Sequence, residues 1–192
     1  MAEVILTMWM SLDGFITGPN DVEGNGLGDG GDVLHAELGE VDTDSTTARP
    51  TDPDGAAVFD ELIATGAVLT GRRTFDIAGE WAGDHHDGVP IFVLTRTERE
   101  PKGHVRYVTD AHEAVALAKA AAGDRDILMH GASAAQALLR EGLLDEIELA
   151  LVPVLLGRGR RLFDDLDQIP LEKVRVLDGA NGVVHVRYRV RR

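Results

Sequence analysis

The chain has 192 residues, 44% of them hydrophobic and 27% charged, which suits one soluble globular domain with a sizeable core. No apolar run approaches the roughly 18 residues of a membrane span, and the absence of cysteine excludes disulfides and thiolate metal sites. The formal net charge of −14 argues against nucleic acid as a partner, because a polyanion calls for a basic face.

Residues 4–10, Val-Ile-Leu-Thr-Met-Trp-Met, are almost continuously apolar and predict a buried central strand. The glycines and proline of residues 11–20 mark an irregular loop whose Leu12, Phe15 and Ile16 need burial. Residues 21–31 are rich in Gly and Asp and read as flexible. Residues 32–38 carry helical spacing, with Asp32 as the expected N-cap. Residues 39–54 are polar and predict a long surface loop. An amphipathic helix over 55–66 follows, with Val58, Phe59, Leu62 and Ile63 on one face.

The short run 67–70 predicts a buried strand that stops at Gly71. A short helix is expected over 74–77 and a loop over 78–89 that holds Trp81, His85 and His86. Further strands are expected at 90–94, 105–108 and 127–129, and helices at 111–122 and 133–141. Residues 146–156 read as a long strand, with Pro153 suggesting an edge or a bulge. Residues 173–177 and 183–190 alternate like antiparallel strands around the turn 178–182. Strand and helix alternate first and strands alone follow. The pattern predicts an α/β fold: a mainly parallel, doubly wound sheet with helices on both faces and a C-terminal antiparallel hairpin, all in one domain, 1–192.

Four strand ends carry similar chemistry. They are Gly71-Arg72-Arg73-Thr74, Thr95-Arg96, Gly131-Ala132-Ser133-Ala134 and the stretch from Ser11 to Gly18. In an open parallel sheet, ligands bind outside the carboxyl ends of the strands. Free amides at a helix start hold phosphate, and forked guanidinium groups suit an adenosine phosphate, which favours NADPH over NADH. No strand–helix junction carries Gly-x-Gly-x-x-Gly spacing.

These residues resemble the dihydrofolate-reductase-like superfamily, specifically the C-terminal reductase domain of the bacterial riboflavin-biosynthesis deaminase/reductase. The matching pieces are Met10-Ser11-Leu12-Asp13-Gly14, Gly71-Arg72-Arg73-Thr74-Phe75, Leu94-Thr95-Arg96, His130-Gly131-Ala132-Ser133, Gly142-Leu143-Leu144-Asp145-Glu146-Ile147 and Pro153-Val154-Leu155-Leu156-Gly157. Their order and spacing extend over almost the whole chain. The resemblance implies an NADPH-dependent reductase of a small heterocycle, often a dimer, nearest to 5-amino-6-(5-phosphoribosylamino)uracil reductase. Dihydrofolate reductase, or a dimeric nucleotide-binding module without turnover, is the alternative. Two departures stand out. Ala132 replaces the second glycine of a frequent Gly-Gly pair, and residues 21–54, where substrate would be held, do not align with the biosynthetic enzyme.

Asp13 is the candidate for proton delivery, on the expectation that apolar neighbours raise its pKa. Trp9, Phe15, Asp32 and His35 are candidates for substrate contact. Trp81 is a further pocket candidate. Asp84-His85-His86-Asp87 reads as a solvated loop, since adjacent side chains rarely converge on one metal. Arg158, Arg160 and Arg161 are expected to pair with Asp164 and Asp165 on the surface. The N-terminus lacks the features of a signal peptide, which with the absence of cysteine fits a cytoplasmic location, and the resemblance implies a homodimer.

Overall fold

A computed structural model describes residues 2–38, 49–50 and 52–191. Its eight-stranded sheet has the order β5-β4-β3-β6-β1-β7-β10-β9. The strands are β1 (Val4–Ser11), β3 (Ala67–Gly71), β4 (Ile91–Leu94), β5 (Val105–Val108), β6 (Ile127–His130), β7 (Glu146–Val152), β9 (Leu171–Asp178) and β10 (Val184–Val190). The six strands from β5 to β7 are parallel; β10 runs antiparallel to both β7 and β9. This is the expected mixed sheet with its C-terminal hairpin.

Alternation within the strands divides the core. Leu6, Leu69 and Met129 face α3 (Ala111–Ala122) and α4 (Ala132–Arg140), whose small Ala114, Ala118, Ala134 and Ala135 allow close approach. Val68, Ile91, Val93 and Leu128 face the other way, onto Leu62 of α1 (Pro53–Ile63) and Phe75 of α2 (Arg72–Ile77). β3 is buried at all five positions, as a central parallel strand covered on both faces must be.

Local signals explain most boundaries. α1 starts earlier than the apolar spacing suggests, because Asp52 accepts from the Gly55 amide at 2.7 Å and Pro53 fills the first helical position. Residues 31–38 form a 3₁₀ helix, Gly31–Leu38, with Asp32 inside its first turn instead of capping it. β7 stops at Val152 just before Pro153, and both of its edges are paired, by β1 and β10. Pro153 therefore ends a central strand; it does not mark an edge. Most of the expected loop 39–54 lies outside the described residues.

Two features were not legible. The predicted irregular loop contains β2 (Phe15–Thr17), which pairs antiparallel with β8 (Arg160–Arg161). Residues 21–31, expected to be flexible, are laced by backbone hydrogen bonds between Val22 and Asn25 and from Asp29 to Pro19. Gly18 is required there, since a Cβ would lie 2.1 Å from the Asp29 carbonyl oxygen. The expected pairs with Asp164 and Asp165 are replaced. Arg160 binds Asp21 at 2.8 Å, and Arg161 stacks on Phe15 at 4.7 Å.

Candidate functional site

β6 ends at His130, while β1 runs on to Ser11 with only β7 beside it. That mismatch in length opens the sheet at its carboxyl side, where sheet topology switches direction. A cavity of about 670 Å³ occupies this place. Met8 and Trp9 of β1 and His130 of β6 line it. So do Phe59, Leu62 and Ile63 of α1, His35 and Leu38 of the 3₁₀ helix, and Ile77, Trp81, His85 and His86 from α2 and the loop after it. Ile16, Thr17, Gly26, Leu27, Arg73, Thr74, Ala78, Gly88 and Arg160 complete the lining together with residues 84 and 87.

Residues 84–87 correct the expectation of a solvated loop. His86 is buried at 5% exposure, and the His85 ring lies 4.7 Å from Trp81 and 5.3 Å from His130. Burial drives the His85 imidazole down to about 2, helped by the neighbouring His130 and His86. Burial likewise takes His130 to about 4, although its contact with the Thr7 carbonyl opposes the shift. His86 is lowered for the same first reason. All three rings are neutral at physiological pH. Among the described residues there is no group of three or more metal-ligating side chains.

The four strand ends share one rim. β4, β3, β6 and β1 are neighbours in that order, all parallel, with Gly71 opposite Leu94 and Thr70 opposite His130. The two glycines there serve the chain first. A Cβ on Gly131 would lie 2.2 Å from Thr74 Oγ1, and one on Gly71 would press on the Ala134 methyl at 3.2 Å. The close approach that these glycines permit is thus made by Thr74 and Ala134. Ala132, Ser133 and Ala134 form the first turn of α4, whose amides have no acceptor within the helix; Ser133 is exposed.

The arginines differ. Arg72 is held by Asp76 at 2.6 Å and lies 5.9 Å from the Tyr107 ring. Arg73 binds Asp21 at 2.9 Å. Arg96 is exposed, beyond the buried Thr95, and no ion pair engages it among the described residues. Burial pushes the Asp21 carboxyl up, but the Arg73 and Arg160 guanidinium groups outweigh it and hold it below the usual carboxylate range.

Asp13 lies outside the cavity lining. Its carboxylate accepts from Ser11 Oγ at 2.6 Å and from the Gly157 and Leu156 amides at 2.7 and 3.1 Å. The Ser11 hydroxyl and these amides lower its pKa, the opposite of the expected rise. Asp13 and Ser11 thus tie β1's end to residues 156–157; Ser11 Oγ also accepts from the Phe15 amide. Of the substrate candidates, Trp9 and His35 meet in the cavity with rings 5.4 Å apart, while Phe15 packs under Arg161 and Asp32 is exposed. The histidine wall was missed. A tryptophan and two histidines within six residues of one loop were its only sequence signal.

Comparison with known proteins follows the same lines. A protein called YyaP from Bacillus subtilis (strain 168), itself uncharacterized, is 30% identical over 96% of this chain and 93% of its own length. A protein of Shewanella sp. PV-4, whose name places it in riboflavin biosynthesis, superposes with a TM-score of 0.72 at 25% identity, covering all of both chains. A pyrimidine reductase-like protein of Corynebacterium diphtheriae shares the fold, with a TM-score of 0.62 at 15% identity over all of this chain and 92% of its own. The model of the RibD C-terminal domain matches residues 2–185, and the chain therefore belongs to that family.

Proposed function

We propose that this chain is an NADPH-dependent reductase that delivers hydride to a small heterocyclic substrate. The observation that carries the reading is the aromatic cavity where β6 stops and β1 continues, beside the rim shared by four parallel strand ends. The residues present fit the cofactor. The first-turn amides of α4 offer donors for a pyrophosphate, and Arg96 is a cation not spent on any described carboxylate. Bound NADPH supplies the hydride; the protein binds, orients and excludes water. Trp9, Trp81 and Phe59 provide apolar surface for that exclusion. Ser11 and Asp13 position the end of β1. Reduction of a ribosylamino-pyrimidine is the nearest enzymatic parallel, by family.

Both tryptophans of the chain line the cavity, so intrinsic fluorescence reports its occupancy. NADPH should quench that fluorescence, with NADH binding more weakly. Arg96→Ala should weaken NADPH by about tenfold, the worth of one charged hydrogen bond, and erase the preference over NADH. Equal affinity for the two coenzymes, or no binding, refutes the proposal. Loss of the reduced-nicotinamide absorbance with a substrate separates a reductase from a nucleotide-binding module.

A further inference from the structure

The ring tautomers of the histidine wall follow from hydrogen bonding alone. Thr65 Oγ1 donates to the Leu62 carbonyl at 2.8 Å, which spends its one hydrogen. The Thr65 hydroxyl and carbonyl can then only accept from His86 Nε2, which lies 3.3 Å from each. His86 therefore carries its proton on Nε2, and its Nδ1 is a lone-pair acceptor. His85 Nδ1, 2.8 Å away, donates to it. That leaves His85 Nε2 bare. Separately, His130 Nδ1 donates to the Thr7 carbonyl at 2.8 Å, leaving His130 Nε2 bare.

Both rings line the cavity, 5.3 Å apart and inclined by 32°, and neither bare nitrogen has a partner among the described residues. Thr17, 5% exposed, lines the same cavity, and its own buried hydroxyl lacks a partner among the described residues. A bare acceptor nitrogen on a cavity wall calls for a donor, so this pair marks a place for a ligand.

The charges of the same cavity point the other way from a phosphate. Among the described residues, Arg73 and Arg160 are the cations that line it, and both clamp Asp21: Arg73 through Nε at 3.2 Å and Nη2 at 2.9 Å, Arg160 through Nε at 2.8 Å. Asp84 and Asp87 add negative charge to the lining. A phosphate there would meet guanidinium groups already paired with the Asp21 carboxylate, with Asp84 and Asp87 opposing it.

We infer that the cavity takes an uncharged, unphosphorylated planar heterocycle whose N–H groups donate to His85 Nε2 and His130 Nε2, with Trp9 and Trp81 giving aromatic contact. The inference rests on reading this cavity as the substrate site, and it sets the chain's substrate apart from a phosphoribosyl compound. His85 and His130 are specificity-determining residues, set as paired acceptors by His86 and by the Thr7 carbonyl respectively.

The test uses lumazine, which has two ring N–H donors, against 1,3-dimethyllumazine, in which both are methylated. Tryptophan fluorescence is followed at near-neutral pH, with and without NADPH. Lumazine should bind about tenfold or more tighter, as two hydrogen bonds to buried acceptors require. Millimolar inorganic phosphate should leave the lumazine titration unchanged. In His85→Phe the preference should shrink to about threefold or less, with one acceptor lost. Equal binding of the two lumazines by the wild-type protein, or competition by phosphate, overturns the inference whether or not the variant folds. NADPH affinity is measured separately: discrimination between lumazines without NADPH binding would sink the reductase reading and leave this one standing.

Discussion

His85 and His130 tie recognition to stability through their protonation. In the unfolded chain each takes up a proton near the ordinary imidazole value of 6.5, whereas in the fold they stay neutral down to about 2 and about 4. Below 6.5 the unfolded state therefore binds more protons, and stability falls as the pH is lowered. The contribution is complete above 6.5 and is lost on the way down to the folded values, at up to about 1.4 kcal/mol per pH unit for each ring. Asp13, Asp21 and Glu61, held below their ordinary carboxylate values, add a further loss only in stronger acid. Urea unfolding at about pH 7.5 and about pH 5.5 should show the drop, and His85→Gln should reduce it. A flat profile would mean that the rings are charged in the fold. None of this is legible in Asp84-His85-His86-Asp87, because acidic neighbours suggest water while the fold turns both imidazoles inward.

Cross-strand charge pairs join β7 to the hairpin and α1. Arg187 stands opposite Glu148 in register, and Arg189 opposite Glu146. Arg187 binds Glu146 at 2.5 Å and Glu61 at 2.9 Å, and Arg175 links Glu61 to Glu148 at 2.6 and 3.0 Å. The side chains of Glu146 and Glu148 are only 3% and 4% exposed. Burial raises the Glu148 carboxyl despite the opposing pull of Arg175 and Arg187. Arg187→Met leaves these carboxylates under-paired and should cost about 3 kcal/mol in urea unfolding. Arg49→Met, which removes a half-exposed pair with Asp60, should change stability by less than about 0.5 kcal/mol. A small effect of Arg187→Met would mean that the network is as dispensable as a surface pair. At this scale the strands and helices were readable because their apolar periods are long. β2 and β8, at three and two residues, are too short to carry a period, and their pairing spans most of the chain.

The net charge of −14 makes the whole molecule repel a coenzyme that is itself a polyanion. If NADPH is held by a few local donors, association has to cross that field. Raising the ionic strength from about 0.01 M to about 0.15 M shortens the screening length from about 30 Å to about 8 Å, and stopped-flow association should accelerate. Slower association at higher salt would reveal a local basic field that steers the coenzyme in. Composition alone determined the sign of this effect, and apolar periodicity with its Gly, Asp and Pro stops determined the order of strands and helices, since both depend on residues close together in the chain. The four strand tips could be expected on one rim for the same reason: successive parallel strands point their carboxyl ends one way. Only the tertiary structure decided that Thr74 and Ala134 fill the space before the rim glycines, that Asp21 silences Arg73 and Arg160, and that His85 and His130 face one cavity. Those outcomes join residues some 45 to 140 positions apart, and such contacts are set by how layers pack, which no local pattern encodes.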